Sequence, residues 1–545
     1  MPLISFDYQD FSTLLGHHLS KEELVEKLPM LGGDLDSVEG DIINIEFFPN
    51  RPDLTSVEGI ARASRAFFGF SPGLATYITK KSDVTLIVDA SVKKIRPFVV
   101  SALVTNVTMT DTIIRSLMEL QEKLHVGLGR NRKKVAIGVH DFKPVKPPFT
   151  YTAVDPDAIS FIPLAKTEPM TLREILANHE KGIEYADLLK SFDTYPIILD
   201  ANNNVLSFPP IINGSLTEVT PATRDIFIDV TGTDEKAIHS ALTIVVAALA
   251  ERGGNIYTTT VRDGKKTMIT PDFSPRHMTV SCVQINKKLG VSLTNQQIAQ
   301  CLARMGYATD EQKDDTLQVQ VPAWRSDILH EIDLIEDVAV GYGYDRFQPE
   351  QPKGTTFGKT LPNHQLHETL RLTLMGLGFN EVTTFTISNE HDELVSLGLS
   401  HQNMVHIANP IGEEYSRLRM SLLPSLLKLL RENRHHPLPQ RIFELGVVVN
   451  ESAKNTTHLA AVVIDAKAHF TQSKSLVEAV LREVNCSYSL QEKKHGAFIE
   501  GRCAAVIHNK KEVGFFGEIH PQTIQNFSLE HPIIAFELFV DHLFV

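Results

Sequence analysis

Hydrophobic and polar positions along this chain follow two periods, and each change of period marks an element. Near the start, Ser20 opens a helix toward Met30 through a Ser-x-x-Glu capping box with Glu23, and Gly32-Gly33 stops it. The run Ile42-Ile43-Asn44-Ile45-Glu46-Phe47 predicts a strand leading into Pro49-Asn50-Arg51-Pro52-Asp53-Leu54, followed by helical spacing over 56–68. The polar run Lys80-Lys81-Ser82-Asp83 reads as a joint, so the first region spans 1–90. A second region, 91–270, alternates β-rich runs (98–104, 134–139, 225–230) with helices, the last of them buried over 234–251. That pattern predicts α+β structure with a mixed sheet. A third region, 271–348, carries a strand at 277–283 and a helix opened by a Thr294/Gln297 capping box, ending near Gly306. A strand at 317–321 and an acidic helix complete it. The fourth, 355–545, has amphipathic helices at 363–376 and 422–434 and then several strands.

The length of 545 residues, with 42% hydrophobic and 22% charged residues, suits three to four cored domains and excludes a mainly disordered chain. A formal charge of −13 excludes binding of nucleic acid by bulk charge, though not by local patches. The most apolar stretch, Ala241 to Ala250, is about half of the ~20 residues a span needs, so a soluble, cytoplasmic protein with no membrane partner is expected. The N-terminus lacks a basic segment followed by an apolar run, so no signal peptide is expected. Cys282, Cys301, Cys486 and Cys503 are far apart, which argues against a disulfide scaffold or zinc ribbon and fits a reducing compartment.

Three segments carry candidate chemistry. On a helix over 331–339, Asp333, Glu336 and Asp337 share one face and repel unless a cation lies between them; Asp327 could reach the same point. Carboxylates without His or Cys suit Mg²⁺, or else mark an acidic helix start favoured by the macrodipole. Gly127-Leu128-Gly129-Arg130-Asn131-Arg132-Lys133-Lys134 suits a phosphate or RNA backbone, or is a solvated charged turn. Ile211 to Ser215, with Thr217, Thr223, Asp225, Asp229, Thr231 and Asp234, is dense in short polar groups that can orient water or bind a hydroxyl. Such residues also cap helices, as Asp234 could. His364-x-x-His367 lacks the order of a zinc protease, and there is no nucleophile elbow.

Pro49 to Leu54 with Ser56-Val57-Glu58-Gly59-Ile60-Ala61-Arg62, and the acidic segment running into Gly341-Tyr342-Gly343-Tyr344-Asp345, resemble two signatures of the phenylalanine–tRNA ligase beta-subunit family. The length, the Gly127–Lys134 stretch and Val145 to Thr150 are similar to its archaeal and eukaryotic branch. The resemblance covers the whole chain in order. It implies a class II synthetase of α2β2 form in which the alpha subunit activates phenylalanine with ATP and charges tRNA(Phe). The fourth region then resembles an inactive, catalytic-like antiparallel-sheet domain that packs on alpha. Ala535 to Asp541 stands there in place of an ATP motif with its arginine. The resemblance makes the third region a winged-helix-like module and Asp327, Asp333, Glu336 and Asp337 magnesium ligands, with Asp337 where bacterial members tend to carry Glu. It makes the second region an editing domain that hydrolyses Tyr-tRNA(Phe), with Ser207, Asn213, Asp229 and Asp234 as candidates for hydroxyl recognition and water positioning. No nucleophile stands out, so substrate-assisted or oriented-water hydrolysis is expected. The alternative is a non-enzymatic tRNA- or DNA-binding scaffold.

Overall fold

The structure, a computed structural model, describes residues 2–311, 315–352, 354 and 356–543. The bounds 1, 355 and 545 of the expected regions lie outside them. Two compact units divide the chain, Met1–Glu350 and Gln351–Val545. No helix among the described residues is long and apolar enough to cross a membrane.

The first unit begins with β1 (Leu3–Asp7), α1 (Tyr8–Leu15) and α2 (Lys21–Lys27), then β2 (Gly33–Glu39) and β3 (Ile42–Phe47). The strands pair antiparallel in the order β1-β3-β2. Ser20 and Glu23 form the reciprocal cap at α2 that the sequence predicts. Ser56 caps α3 (Val57–Phe67). Gly59 is required there: a Cβ would stand 1.8 Å from the carbonyl oxygen of Asp53, so the helix presses against the Pro52–Leu54 turn.

Lys80–Asp83 is not a joint but lies within β4 (Thr79–Val88), whose apolar members Val84, Leu86 and Val88 are buried. After it come β5 (Phe98–Thr105), α4 (Asp111–Val126), β6 (Val135–Asp141) and β7 (Phe149–Val154). A small ribbon of β8 (Ser160–Phe161) and β9 (Met170–Thr171) leads to α5 (Leu172–Asn178) and α6 (Glu180–Tyr185). Next are β10 (Tyr195–Leu199), β11 (Val205–Phe208), β12 (Ile212–Asn213), β13 (Ile226–Gly232), α7 (Glu235–Glu251), β14 (Asn255–Asp263) and β15 (Lys266–Thr270). One mixed sheet takes the order β12-β11-β10-β7-β4-β14-β5-β13-β6, with β15 on β14. The apolar α7 buries Ile238, Leu242, Val245 and Leu249 in one cluster with Val100, Ala102, Ile228 and Val230 of the sheet. The two end strands then approach each other, because Asn213 Nδ2 on β12 donates to the carbonyl oxygen of Val139 on β6 at 3.3 Å. A seam held by side chains therefore separates strands at opposite ends of the sheet order.

The unit closes with β16 (Arg276–Ser281), α8 (Cys282–Leu289), α9 (Asn295–Arg304), β17 (Ala308–Glu311), β18 (Thr316–Val321) and α10 (Glu331–Tyr342). Thr294 and Gln297 cap α9 reciprocally as expected. Cys282 opens α8 rather than lying on a strand, and both it and Cys301 are buried. Phe6, Phe11, Leu54 and Ile60 share one core with Ile285, Ile298, Leu302 and Val338. Sequences more than two hundred residues apart thus bury their apolar faces against each other.

In the second unit, α11 (Pro362–Gly376) precedes β19 (Asn380–Glu381), and the rest of the run to Thr386 does not extend that strand. A short pair, β20 (Ile387–Ser388) with β21 (Arg417–Leu418), is followed by α12 (Leu423–Glu432). The main sheet adds β22 (Gln440–Val449), β23 (Asn455–Ile464), α13 (Phe470–Glu483), β24 (Ser489–Glu492), β25 (Phe498–His508), β26 (Lys511–Ile519), α14 (Pro521–Asn526) and β27 (Ile533–Phe539). Its order is β19-β22-β23-β27-β26-β25-β24, antiparallel except for β19 on β22. Helices α11 and α13 pack within one buried cluster and α12 within another.

Candidate active site

A cavity of about 360 Å³ opens at the seam of the ten-stranded sheet. Its lining comes from α4, from Ala136 to Val139 on β6, from Ser207 to Asn213, and from Asp229 and Thr231 on β13. Alternation along β13 puts Asp229 and Thr231 on one face, and register sets them opposite Gly138 and Ala136. Three of the four expected editing residues, Ser207, Asn213 and Asp229, meet here. The fourth does not. Asp234 caps α7 by accepting from the Ala237 N–H at 3.2 Å, and its carboxylate pairs with Lys134 at 2.9 Å. Its position one residue before the helix explains this, since four unpaired N–H groups there draw an oxygen acceptor.

The hydrogen-bond polarity of the wall follows from which groups can only donate or only accept. Arg96, 3% exposed, donates from Nε to Thr231 Oγ1 at 2.9 Å and from Nη2 to Thr231 O at 2.8 Å. Burial pushes this guanidinium down to about 10. Thr231 Oγ1 is thereby an acceptor toward Arg96, and its own O–H is left to donate elsewhere. Asp229 accepts from His140 Nε2 at 2.7 Å through Oδ1, while Oδ2 makes no hydrogen bond among the described residues. Ser207 is 2% exposed and its Oγ is buried without a partner among the described residues.

The opposite wall is α4, lying along the edge of β6. Gln121 Nε2 donates to Ile137 O at 2.6 Å, and His125 Nε2 accepts from Ile137 N–H at 2.8 Å, so two free edge groups of the sheet are satisfied by side chains. With Nε2 accepting, a neutral His125 ring carries its proton on Nδ1, 3.8 Å from Glu122 Oε1. The His125 ring and the Arg132 guanidinium hold the Glu122 carboxyl down to about 2.

The Gly127–Lys134 stretch serves the same seam. Arg130, Asn131 and Arg132 all have positive φ, 48°, 54° and 62°. That conformation turns Arg132 inward, where it donates to Ile211 O at 2.8 Å and to Glu122 at 2.5 Å and lies 4.4 Å from the Tyr185 ring centroid. Lys134 is held by Asp234, which leaves Arg130 and Lys133 exposed. Of four cations that suggested a phosphate or RNA contact, one is therefore a buried clip and one an ion-pair partner.

The acidic set at 327–337 is arranged differently. Arg325, 3% exposed, donates to Asp327 Oδ2 at 2.7 Å and to Asp337 Oδ2 at 2.7 Å, and Asp337 also accepts from the Tyr307 hydroxyl. Asp333 accepts from the Leu329 and His330 N–H groups at 2.7 and 2.8 Å as part of a capping box. Glu336 is exposed. Among the described residues no group of three His, Cys, Asp or Glu side chains is placed to hold a metal ion. The expected Mg²⁺ set does not fit this arrangement: a guanidinium stands where the cation would, and one carboxylate caps a helix. The Pro49–Leu54 signature adjoins the same cluster. Asp53 accepts both hydrogen bonds of Arg51 at 2.8 and 2.9 Å. Against burial, which would raise it, Arg51, Arg325 and Arg62 hold the Asp53 carboxyl below its ordinary value.

Residues 278–344 match the family model described as the tRNA synthetase B5 domain, and residues 348–540 that of the phenylalanyl tRNA synthetase beta chain CLM domain. A phenylalanine–tRNA ligase beta subunit of Methanothrix thermoacetophila is 45% identical over 539 residues, covering 99% of both chains. One from Archaeoglobus fulgidus is 43% identical, covering 99% of this chain and 98% of its own. A solved N-terminal fragment of the phenylalanyl-tRNA synthetase beta subunit of Pyrococcus horikoshii aligns with a TM-score of 0.61 at 38% identity, over 63% of this chain and 99% of that one. With identity above 40% over its whole length, the chain belongs to the phenylalanine–tRNA ligase beta-subunit family.

Proposed function

We propose that this chain works with an alpha subunit, as an α2β2 class II synthetase, in the ATP- and Mg²⁺-dependent attachment of phenylalanine to tRNA(Phe). Synthesis belongs to alpha in this reading. Within Ala535–Asp541, where the sequence lacks a triphosphate-binding arginine, β27 carries Glu537. That side chain is 1% exposed and occupied by His458 Nδ1 at 2.6 Å and Ser421 Oγ at 2.5 Å. An anionic residue so placed repels phosphate.

The cavity at the sheet seam hydrolyses Tyr-tRNA(Phe). The observation that carries this reading is the unpaired polarity of the wall: an acceptor in Asp229 Oδ2, a donor in the Thr231 hydroxyl, and the partnerless Ser207 Oγ. A synthetic pocket shaped for phenylalanine rejects an added hydroxyl poorly, whereas a site that must hydrogen-bond that hydroxyl discriminates strongly. Among the described residues Ser207 has no base within hydrogen-bond reach, so it is not an activated nucleophile. Water attacks the ester carbonyl, the tetrahedral intermediate collapses, and the ribose hydroxyl leaves with a proton. Asn213 keeps the cavity's width by closing the seam.

The test is tyrosine release from Tyr-tRNA(Phe) by the co-expressed assembly, with Asn213→Ala alongside. Release by the parent and a loss of roughly tenfold or more in the variant is expected, since misplacing a wall of a positioned site is costly. Equal release by both would remove Asn213 from the site. No release by the parent would remove editing and leave charging as the assembly's activity.

A further inference from the structure

We infer that His140 is a positioning residue that fixes how the cavity reads a substrate hydroxyl, an inference resting on the editing reading above. His140 is fully buried on β6, two residues from Gly138 and on the same face. Register sets Asp229 directly opposite Gly138, so His140 is its diagonal neighbour. A Cβ at Gly138 would lie 2.3 Å from Asp229 Oδ1 and 2.6 Å from His140 Nε2; the bare glycine is what lets the carboxylate cross to the ring. Oδ1 and Nε2 are 2.7 Å apart, and a carboxylate only accepts, so Nε2–H donates.

Behind the ring, Nδ1 is 2.8 Å from Thr217 Oγ1. Thr217 is itself 1% exposed, and the turn holding it, Ser215–Thr217, begins two residues after Asn213. A line of hydrogen bonds thus runs from Thr217 through His140 to Asp229, from the interior to the cavity wall. It holds one carboxylate oxygen from behind and presents the other at a fixed place. Without it, Asp229 is free to turn about its broad terminal torsion and the acceptor loses its position. His140 does not line the cavity, so its effect passes through Asp229.

A group that binds the hydroxyl equally in ground and transition states acts on KM rather than kcat. The assembly is therefore assayed for Tyr-tRNA(Phe) hydrolysis with His140→Phe, which removes the donor, and His140→Gln, which keeps one. For the Phe variant the expected result is a rise of about tenfold in KM with kcat within about twofold, and for Gln a KM within about threefold of the parent. Phenylalanine charging stays unchanged in both. A parental KM in His140→Phe, a loss confined to kcat, or a Gln variant as impaired as the Phe variant would each overturn the inference. If His140→Phe does not fold, Thr217→Val takes its place; it frees the ring and raises KM by about threefold, and an unchanged KM is the overturning result. A parent enzyme that releases no tyrosine refutes the editing reading itself, which separates that failure from this one.

Discussion

Two places in the first unit bury carboxylates beside guanidinium groups, with opposite outcomes. Around Arg325, Asp327 and Asp337 are occupied by donors, and the cluster ties Tyr307, the preceding turn and α10 together beside the Arg51–Asp53 pair. At the sheet seam, Arg96 serves Thr231 rather than a carboxylate, and among the described residues Asp229 keeps one oxygen free and Ser207 has no partner, all around open volume. Saturated polar groups hold a fold together. Polar groups left unpaired at a cavity are stability given up for recognition.

The largest test of this contrast is Arg325→Met. It leaves Asp327 and Asp337 buried without their counter-charge and should cost roughly 3–5 kcal/mol. The single tryptophan, Trp324, is buried next to this residue and reports the unfolding in urea. A loss below about 1 kcal/mol would show that the cluster does not hold the unit together.

A carboxylate in the second unit offers an intermediate case. Glu393 is 2% exposed; Oε2 accepts from Met420 N–H at 3.1 Å, Oε1 has no partner among the described residues, and burial pushes its pKa from 4.5 up to about 7. The folded state thus keeps a proton that the unfolded chain has lost between those values. Its contribution is complete below pH 4.5 and declines as pH rises to 7, by the order of 3 kcal/mol. Glu393→Gln removes that decline, so calorimetry should show the variant gaining on the parent between pH 5 and pH 8. Parallel pH profiles would contradict it.

Ser207→Ala should lower tyrosine release about tenfold, near 1.4 kcal/mol, while the melting temperature stays put, because its Oγ satisfies nothing in the fold. Asp234→Ala should do the reverse, losing about 1 kcal/mol of stability as a helix cap and leaving release unchanged. Reduced release in Asp234→Ala would return that residue to the site.

What could be read from the sequence was mostly local. The capping boxes at Ser20 and Thr294 and the alternation of Ile42–Phe47 follow from neighbours within four residues, and the structure reproduces them. Asn213 and Asp229 were legible as short polar groups beside apolar strand runs, and Ser207 came in only through the family resemblance; their meeting depends on a sheet curling until its ends approach. Asp234 carried two readings, cap and site, because both use the same residue types, and the structure shows the cap. His140 and Arg96 were missed, since each acts through a partner far along the chain, Asp229 and Thr231; Arg132 was read as a phosphate or RNA contact, because the carbonyl oxygens it clips lie 78 and 79 positions away. A signal for His140 existed: within the apolar run from Val135, it sits two residues after Gly138 on the same strand face. The polar Lys80–Asp83 stretch joined a strand because the apolar residues after it, not its own composition, decide its pairing with β14.

The side-chain seam has a consequence for how this domain can change. A hydrogen-bonded ladder would set the width of the cavity by backbone spacing, leaving little to adjust. Closure through Asn213 and Arg132 instead hands the aperture to two residues, each replaceable by one codon without touching the strand order. The size of group the cavity admits can therefore be altered through either residue while the architecture around it stays constant.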